Sequence, residues 1–415
     1  MEVKPGYKHT EAGVIPEEWE AEPLGRHVEI KSGDSPSLFH FGNEGTPYFK
    51  VEQLNNNSKY LCDTPYLFRG EKRVPRGSLI FPKRGASILL NKVRILNDDS
   101  FMDTNMMTLT PKASLNHEYL YYALTHIQLW RIADTTSIPQ INNKHIIPLL
   151  VPLPPTKAEQ RAIAEALSDA DALIESLDQL IVKKRALKQA AMQQLLTGKK
   201  RLPGFSGEWE SNRLSDLFTF SGGFSASRDQ LSNVGSCYLH YGDIHTSSKT
   251  FVDVSAEYQD IPKLDIPLKR VSSSSLLADG DVVFVDASED DEGASKHIVV
   301  VNKDNSPFIS GLHTIVAKSR TDEMVHQYRR YCFQTTAIKQ QFLFYAVGTK
   351  VTGISKTNIA KLILPVPTVS EQSAIAEVLT DIDAELESLE ARREKTKSIK
   401  QGMMQELLTG KTRLV

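Results

Sequence analysis

The chain has 415 residues, with 49 Lys and Arg against 51 Asp and Glu, so its formal net charge is only −2. Apolar residues make up 40% and charged residues 24%, ordinary globular proportions that exclude a wholly disordered or fibrous chain. Cys62, Cys237 and Cys332 are far apart with no Cys-x-x-Cys pair, which argues against a disulfide framework or a thiolate zinc site; no apolar run is long enough for a membrane span or signal core. The expected setting is the reducing cytoplasm, with each cysteine a small buried side chain.

In chain order, residues 1–155 open with short apolar or alternating runs at 47–51, 78–81, 93–96 and 106–109. Bounded by Gly, Asn, Asp and Pro, these predict strands. A helix-like stretch follows at 117–132. The segment balances at 17 basic to 17 acidic side chains, yet 59–94 alone holds nine basic against two acidic. That local excess is a candidate phosphate-binding face, with a solvated loop surface as the plainer alternative.

The next block, 156–202, reads as one long helix. Ile163, Leu167, Ala170, Ile174, Leu177 and Ile181 recur at spacings of four and three, a heptad seam. Pro152, Pro154 and Pro155 precede it, Thr156 is placed to cap it with Glu159 at capping-box spacing, and Gly198 is placed to end it. About 40 residues at 1.5 Å rise give about 60 Å of helix, too long to bury its own seam.

Residues 203–367 form a second strand-rich segment, with runs at 238–241, 281–285, 297–301 and 314–317 and a helix-like stretch at 324–344. Its balance is 16 basic to 19 acidic, with an acidic cluster from Glu289 to Glu292. The last block, 368–415, then repeats the first helix. Without a gap, 156–202 matches 368–414 at an offset of 212, with 26 of 47 positions identical. Thr368, Glu371 and Gly410 repeat the caps, and Ile375, Leu379, Ile382, Leu386 and Leu389 repeat the seam. The second helix starts only after a whole globular segment, so the economical arrangement packs the two helices antiparallel, in pseudo-two-fold relation.

Catalytic motifs are missing. Gly410-Lys411-Thr412 lacks the earlier glycine of a phosphate loop and sits at a helix end. No dinucleotide loop, zinc-protease helix or nucleophile elbow appears. Nor is there the catalytic tetrapeptide of an amino-methyltransferase, because the only Pro-Pro, Pro154-Pro155, follows Leu153. The eleven histidines are scattered without ligand spacing. The chain reads as a non-catalytic binding protein. A scaffold whose variable domains bind proteins, held apart by a coiled coil, is the competing class.

Two divergent domains, each followed by a near-copy of one long helix, resemble the specificity subunit of type I restriction-modification systems over essentially the whole chain. The resemblance is carried by Gly13-Val14-Ile15-Pro16-Glu17-Glu18-Trp19, by Glu159-Gln160-x-x-Ile163 and Glu371-Gln372-x-x-Ile375, and by Leu195-Leu196-Thr197-Gly198-Lys199 and Leu407-Leu408-Thr409-Gly410-Lys411. Two further pairs look like shared segments of the variable domains: Thr46-Pro47-Tyr48-Phe49 with Tyr238-Leu239-His240-Tyr241, and Gly77-Ser78-Leu79-Ile80-Phe81 with Gly280-Asp281-Val282-Val283-Phe284.

The fold so implied is α+β: two strand-rich target-recognition domains, 1–155 and 203–367, separated by helical spacers 156–202 and 368–415 packed as an antiparallel coiled coil. The function implied is reading of a bipartite double-stranded DNA target, one half-site per domain, with the helices fixing the gap. The partners implied are two methyltransferase subunits that bind S-adenosylmethionine and methylate adenine, and through them two ATP-dependent restriction subunits. The chain itself is assigned no cofactor. Base edges are read by polar side chains on exposed loops, so the candidate DNA-binding residues are Lys31, Lys50, Gln53, Lys83, Arg84, Asn91, Gln140, Asn142, Asn143 and Lys144 in the first domain. Those of the second are Tyr241, Asp243, His245, Lys249, Lys296, His297, Lys350, Thr352 and Lys356.

Overall fold

The computed structural model describes residues 4–56, 58–134, 138–247, 249–288, 296–348 and 352–414. The chain divides into two compact units, Met1–Gln179 with Glu390–Val415, and Leu180–Leu389. Each unit therefore takes part of both long helices, Lys157–Leu195 and Val369–Leu407.

In the first unit a five-stranded sheet runs in the order Val28–Ser32, Met106–Pro111, Leu79–Pro82, Arg94–Leu96, Tyr60–Leu61. Every pairing is antiparallel except the last. The central strand Leu79–Pro82 is buried along its whole length. Side chains of a strand alternate between faces, so Leu79 and Phe81 enter the core that includes Tyr119 and Leu120 of helix His117–Ile127, while Ile80 enters another with Phe49, Leu54 and Met102. A short apolar run without alternation here marks a strand covered on both faces.

The second unit repeats this topology with different residues. Its sheet runs Phe218–Gly222, Thr314–Ser319, Val282–Val285, His297–Val301, Phe251–Asp253, again parallel only at the last pairing. Val282 and Phe284 face one core, Val283 and Val285 the other. In both units the chain after the first strand of the sheet passes another segment at very short range: a Cβ on Gly33 would lie 1.9 Å from the Asp103 carbonyl oxygen, and one on Gly223 1.7 Å from that of Gly311. Only glycine permits either approach.

The long helices begin and end as their sequences indicate. Thr156 Oγ1 accepts from the Glu159 N–H at 3.2 Å and Thr368 Oγ1 from the Glu371 N–H at 3.4 Å. Gly198 and Gly410 adopt φ of 67° and 70°, the left-handed conformation that closes a helix C-terminus. The reciprocal half of the capping box does not form, because the carboxylates of Glu159 and Glu371 are engaged by arginines instead. Arg413 binds Glu159 through two hydrogen bonds in the first unit, and Arg201 binds Glu371 at 2.5 and 2.6 Å in the second.

Within each unit the two helices run in opposite directions. In the first, Lys400 meets Asp171 at 2.5 Å and Arg393 meets Asp178 at 3.1 Å. In the second, Lys188 meets Asp383 at 2.6 Å, with Lys184 paired to Glu385. The first turns of the seam serve the globular cores rather than the helix pair: Ile163 and Leu167 belong to one core, Ile375 and Leu379 to the other. Leu407 and Leu408 close the first core and Leu195 and Leu196 the second, which accounts for the repeated Leu-Leu before Thr-Gly.

Three expectations are corrected. The stretch 117–132 breaks at Gln128, whose φ of 66° ends the helix before the 3-10 turn Leu129–Ile132. The stretch 324–344 is two helices, His326–Cys332 and Thr336–Tyr345, because Thr335 Oγ1 accepts from the Ile338 N–H at 3.3 Å and starts a new helix. Cys62 is exposed, unlike the buried Cys237 and Cys332.

Candidate nucleic-acid interface

The first unit gathers part of its candidate set at the end of strand Leu79–Pro82. Lys83 N–H donates to the Asn105 carbonyl and Ile141 N–H donates to that of Lys83, each at 2.8 Å; Gly85 N–H donates to Pro139 O at 2.9 Å. Arg84 bridges Gln140, and Gln140 exchanges two backbone hydrogen bonds with Asp134. These ladders bring Lys83, Arg84 and Gln140 side by side on backbone that cannot shift independently. Asn142, Asn143 and Lys144 follow, all exposed, with Lys144 Nζ 2.9 Å from Asp134. Burial pushes the Lys83 ammonium below the usual lysine range, opposed by the nearby Asp103 carboxylate. Arg84 is exposed and Lys31 is exposed on the edge strand Val28–Ser32.

Other candidates in this unit are engaged internally. Lys50 Nζ lies 3.4 Å from the Tyr66 ring centroid, a cation–π contact, and Gln53 Oε1 accepts from the Lys50 N–H at 2.8 Å. Asn91, at φ 46°, uses both ends of its amide: Nδ2 donates to Thr125 O at 3.1 Å and Oδ1 accepts from the Leu129 N–H at 2.9 Å. Its amide is a structural brace in this conformation rather than a reading group.

In the second unit the corresponding position carries the opposite charge. Ile354 N–H donates to Asp286 O at 2.8 Å, as Ile141 does to Lys83, and Asp286 N–H donates to His313 O at 3.2 Å. Burial raises the Asp286 carboxyl above its ordinary value against the pull of His313, whose Nδ1 lies 3.4 Å away. Ala287–Ser288 pair with Thr352–Gly353, placing the Thr352 backbone beside this loop. Helix Tyr241–Thr246 brings Tyr241 edge-on to His313, ring centroids 5.5 Å apart, and Asp243 within 2.8 Å of Arg228. Lys296 Nζ donates to the His245 carbonyl, Lys249 pairs with Glu257 at 2.9 Å, and Lys356 is exposed.

His297 is corrected: it is only 7% exposed, with its ring against Phe284 and Phe333 at 5.5 and 5.1 Å, so it is a core residue of the sheet. Lys350 and the acidic cluster Glu289 to Glu292 lie outside the described residues. Sequence reasoning missed Asp286, His313 and Arg228. The match of Gly77-Ser78-Leu79 to Gly280-Asp281-Val282 was the available signal, since carried forward it sets Lys83 against Asp286.

Among the described residues no group of three or more His, Cys, Asp or Glu side chains is placed to hold a metal ion. Among them, too, no helix is long and apolar enough to cross a membrane.

The family described as type I restriction modification DNA specificity domain matches residues 16–183 and 206–398. A type I restriction enzyme MjaVIII specificity subunit of Methanocaldococcus jannaschii is 26% identical, over 96% of this chain and 94% of its own. A putative MjaX specificity subunit of the same organism is 26% identical over 98% and 97%. Among solved structures, the S subunit of a type I restriction-modification system from M. genitalium aligns with a TM-score of 0.57 at 16% identity, covering 98% of this chain and 99% of that one. A chain from a structure concerned with complex assembly and conformational transition of the type I system aligns with a TM-score of 0.58 at 15% identity, covering 96% and 99%.

Proposed function

Because the chain belongs to the type I restriction modification DNA specificity family, we propose that it reads a bipartite DNA target, with 1–155 and 203–367 each recognising one half-site and the spacers 156–202 and 368–415 setting the gap. The observation that carries this is one fold built twice, with the strand order kept and the loop chemistry changed: Lys83 in one unit stands where Asp286 stands in the other. A protein that needed the same contact twice would keep that residue; one that reads two different half-sites must change it.

The helices carry the opposite logic. Their caps, the Arg413–Glu159 and Arg201–Glu371 forks, and the Lys400–Asp171 and Lys188–Asp383 pairs occupy equivalent positions of the repeat, which suits two copies of one partner. In this reading the partners are two methyltransferase subunits that bind S-adenosylmethionine and methylate adenine, and through them two ATP-dependent restriction subunits, in the cytoplasm. Leu187 and Ile399, equivalent positions of the repeat, are each 52% exposed and offer such a partner the same apolar contact.

The proposed base- and phosphate-contacting set is Lys83, Arg84, Gln140, Asn142, Asn143 and Lys144 with Lys31 and Lys50 in the first unit. In the second it is Tyr241, Asp243, His245, Lys249, Lys296, Lys350, Thr352 and Lys356. The near-neutral total charge fits a subunit that supplies base reading while its partners share the phosphate contacts, so binding by the isolated chain is weak. The test is a titration of duplex DNA with the chain alone and with its methyltransferase partner. Sequence-specific affinity that rises with the partner supports the reading; a protein scaffold gives no salt-dependent DNA affinity in either case.

A further inference from the structure

Beside the loop of Lys83 and Arg84 the first unit exposes large apolar side chains. Leu89 and Leu90 are 53% and 66% exposed at the end of the 3-10 turn Ala86–Leu90, and Trp130 is 39% exposed on the adjoining turn Leu129–Ile132. Three such side chains on touching turns form a patch, and contiguous apolar patches mark contact surfaces more often than isolated exposed leucines do.

The tip they form is rigid. Asn91 ends the turn with φ 46° and ties it by its amide to Thr125 O and the Leu129 N–H, while Ile88 within the turn is buried. Arg84 precedes the turn, and the exposed Arg131 guanidinium lies 5.5 Å from the Trp130 ring centroid. A stiff apolar tip flanked by arginines has the chemistry of a DNA wedge: the apolar groups leave water between two base pairs as the cations meet phosphates.

We propose that Leu89 and Leu90, backed by Trp130, insert at a base step of the DNA half-site bound by the first unit. This rests on the DNA-reading function above and adds a contact that distorts the duplex. The second unit repeats one part of this patch. Val347 pairs there with Gly353 as Asp134 pairs with Gln140, which sets Leu343 at the place of Trp130, and Leu343, Phe344 and Val347 are 41%, 80% and 75% exposed. The counterparts of Leu89 and Leu90, Glu292 and Gly293 by the match of Lys83 to Asp286, lie outside the described residues. A partner protein docking alike on both halves needs matching residues, as the helices keep; tips meeting different half-sites do not.

The test uses the full chain in complex with its methyltransferase partner and a duplex carrying the mapped target, with 2-aminopurine replacing each adenine in turn. The wild-type complex is expected to brighten the probe at one step of the first half-site. Leu89→Ala with Leu90→Ala is expected to abolish that signal and weaken binding about tenfold, with the target motif unchanged. Leu89→Met with Leu90→Met is expected to restore both. Unchanged fluorescence on wild-type binding, or wild-type affinity and distortion in the alanine variant, overturns the wedge but leaves DNA reading intact. If the alanine variant instead loses its methyltransferase partner in the absence of DNA, the patch is a protein interface and the wedge is overturned. A wild-type complex with no sequence preference overturns the DNA-reading function itself.

Discussion

Arg413 and Glu159 lie 254 positions apart and meet as a forked ion pair, with Nη2 3.0 Å from Oε2 and Nε donating to Oε1. Glu159 is only 3% exposed, and its equivalent Glu371, held by Arg201, is fully buried. Removing the arginine leaves a buried carboxylate without its counter-charge. Arg413→Ala is expected to lower the melting temperature of the first unit by about 5 °C. Arg413→Lys, which keeps a charge but loses the fork, falls between. Thermal melts followed by calorimetry check this; a melting temperature equal to wild type for the alanine variant contradicts it.

Gln160 explains the residue that follows that glutamate in both repeats. Its Oε1 accepts from the Asn116 N–H at 2.9 Å, and Nε2 donates to Ser114 O and Pro154 O at 3.3 and 3.4 Å. Gln372 repeats the set with Val325, Glu323 and Pro367. Each glutamine ties a long helix to the loop that starts a domain helix. Gln160→Leu strands these backbone groups and is expected to cost about 2 kcal/mol. Hydrogen exchange at the Asn116 amide should rise in step; unchanged exchange there contradicts the role.

The doubled helix, its caps and its antiparallel pairing were legible because a repeat at constant offset leaves little freedom in how a long apolar seam is covered. The target of the Glu159 carboxylate was not, since capping-box spacing is the same whether the side chain turns back to its own helix or meets an arginine 254 residues away. At the candidate interface, charge and exposure picked out Lys83 and Arg84, but not the brace made by Asn91 or the burial of His297. Those roles depend on which backbone groups a fold leaves needing partners, and no local pattern carries that.

Lys83→Ala with Arg84→Ala removes two cations from the loop that bridges Gln140. The logarithmic salt dependence of DNA binding by the complex is expected to become shallower by about 1 to 2. Affinity falls similarly for target and non-target duplexes if the pair meets phosphates. An unchanged slope removes both residues from the interface.

Glu118 gives the first unit a pH dependence. Burial opposes its charge, but hydrogen bonds from Tyr60 and Lys59 outweigh that and hold its carboxyl below the ordinary value. A lowered carboxyl pKa contributes stability above the unfolded value, which is lost as pH falls through the folded one. Below about pH 4.5 the wild type should therefore lose stability faster than Glu118→Gln. At neutral pH the variant is the less stable of the two. Parallel melting curves across that range contradict the assignment.

The central claim, that this chain chooses the DNA sequence its partners act on, is tested most directly by mapping adenine methylation across the genome of cells expressing the methyltransferase partner with and without it. One bipartite motif, methylated only when the chain is present and altered in one half when residues 1–155 are exchanged for another variable domain, is the predicted result. Methylation at the same motif without the chain, or no motif with it, contradicts the account.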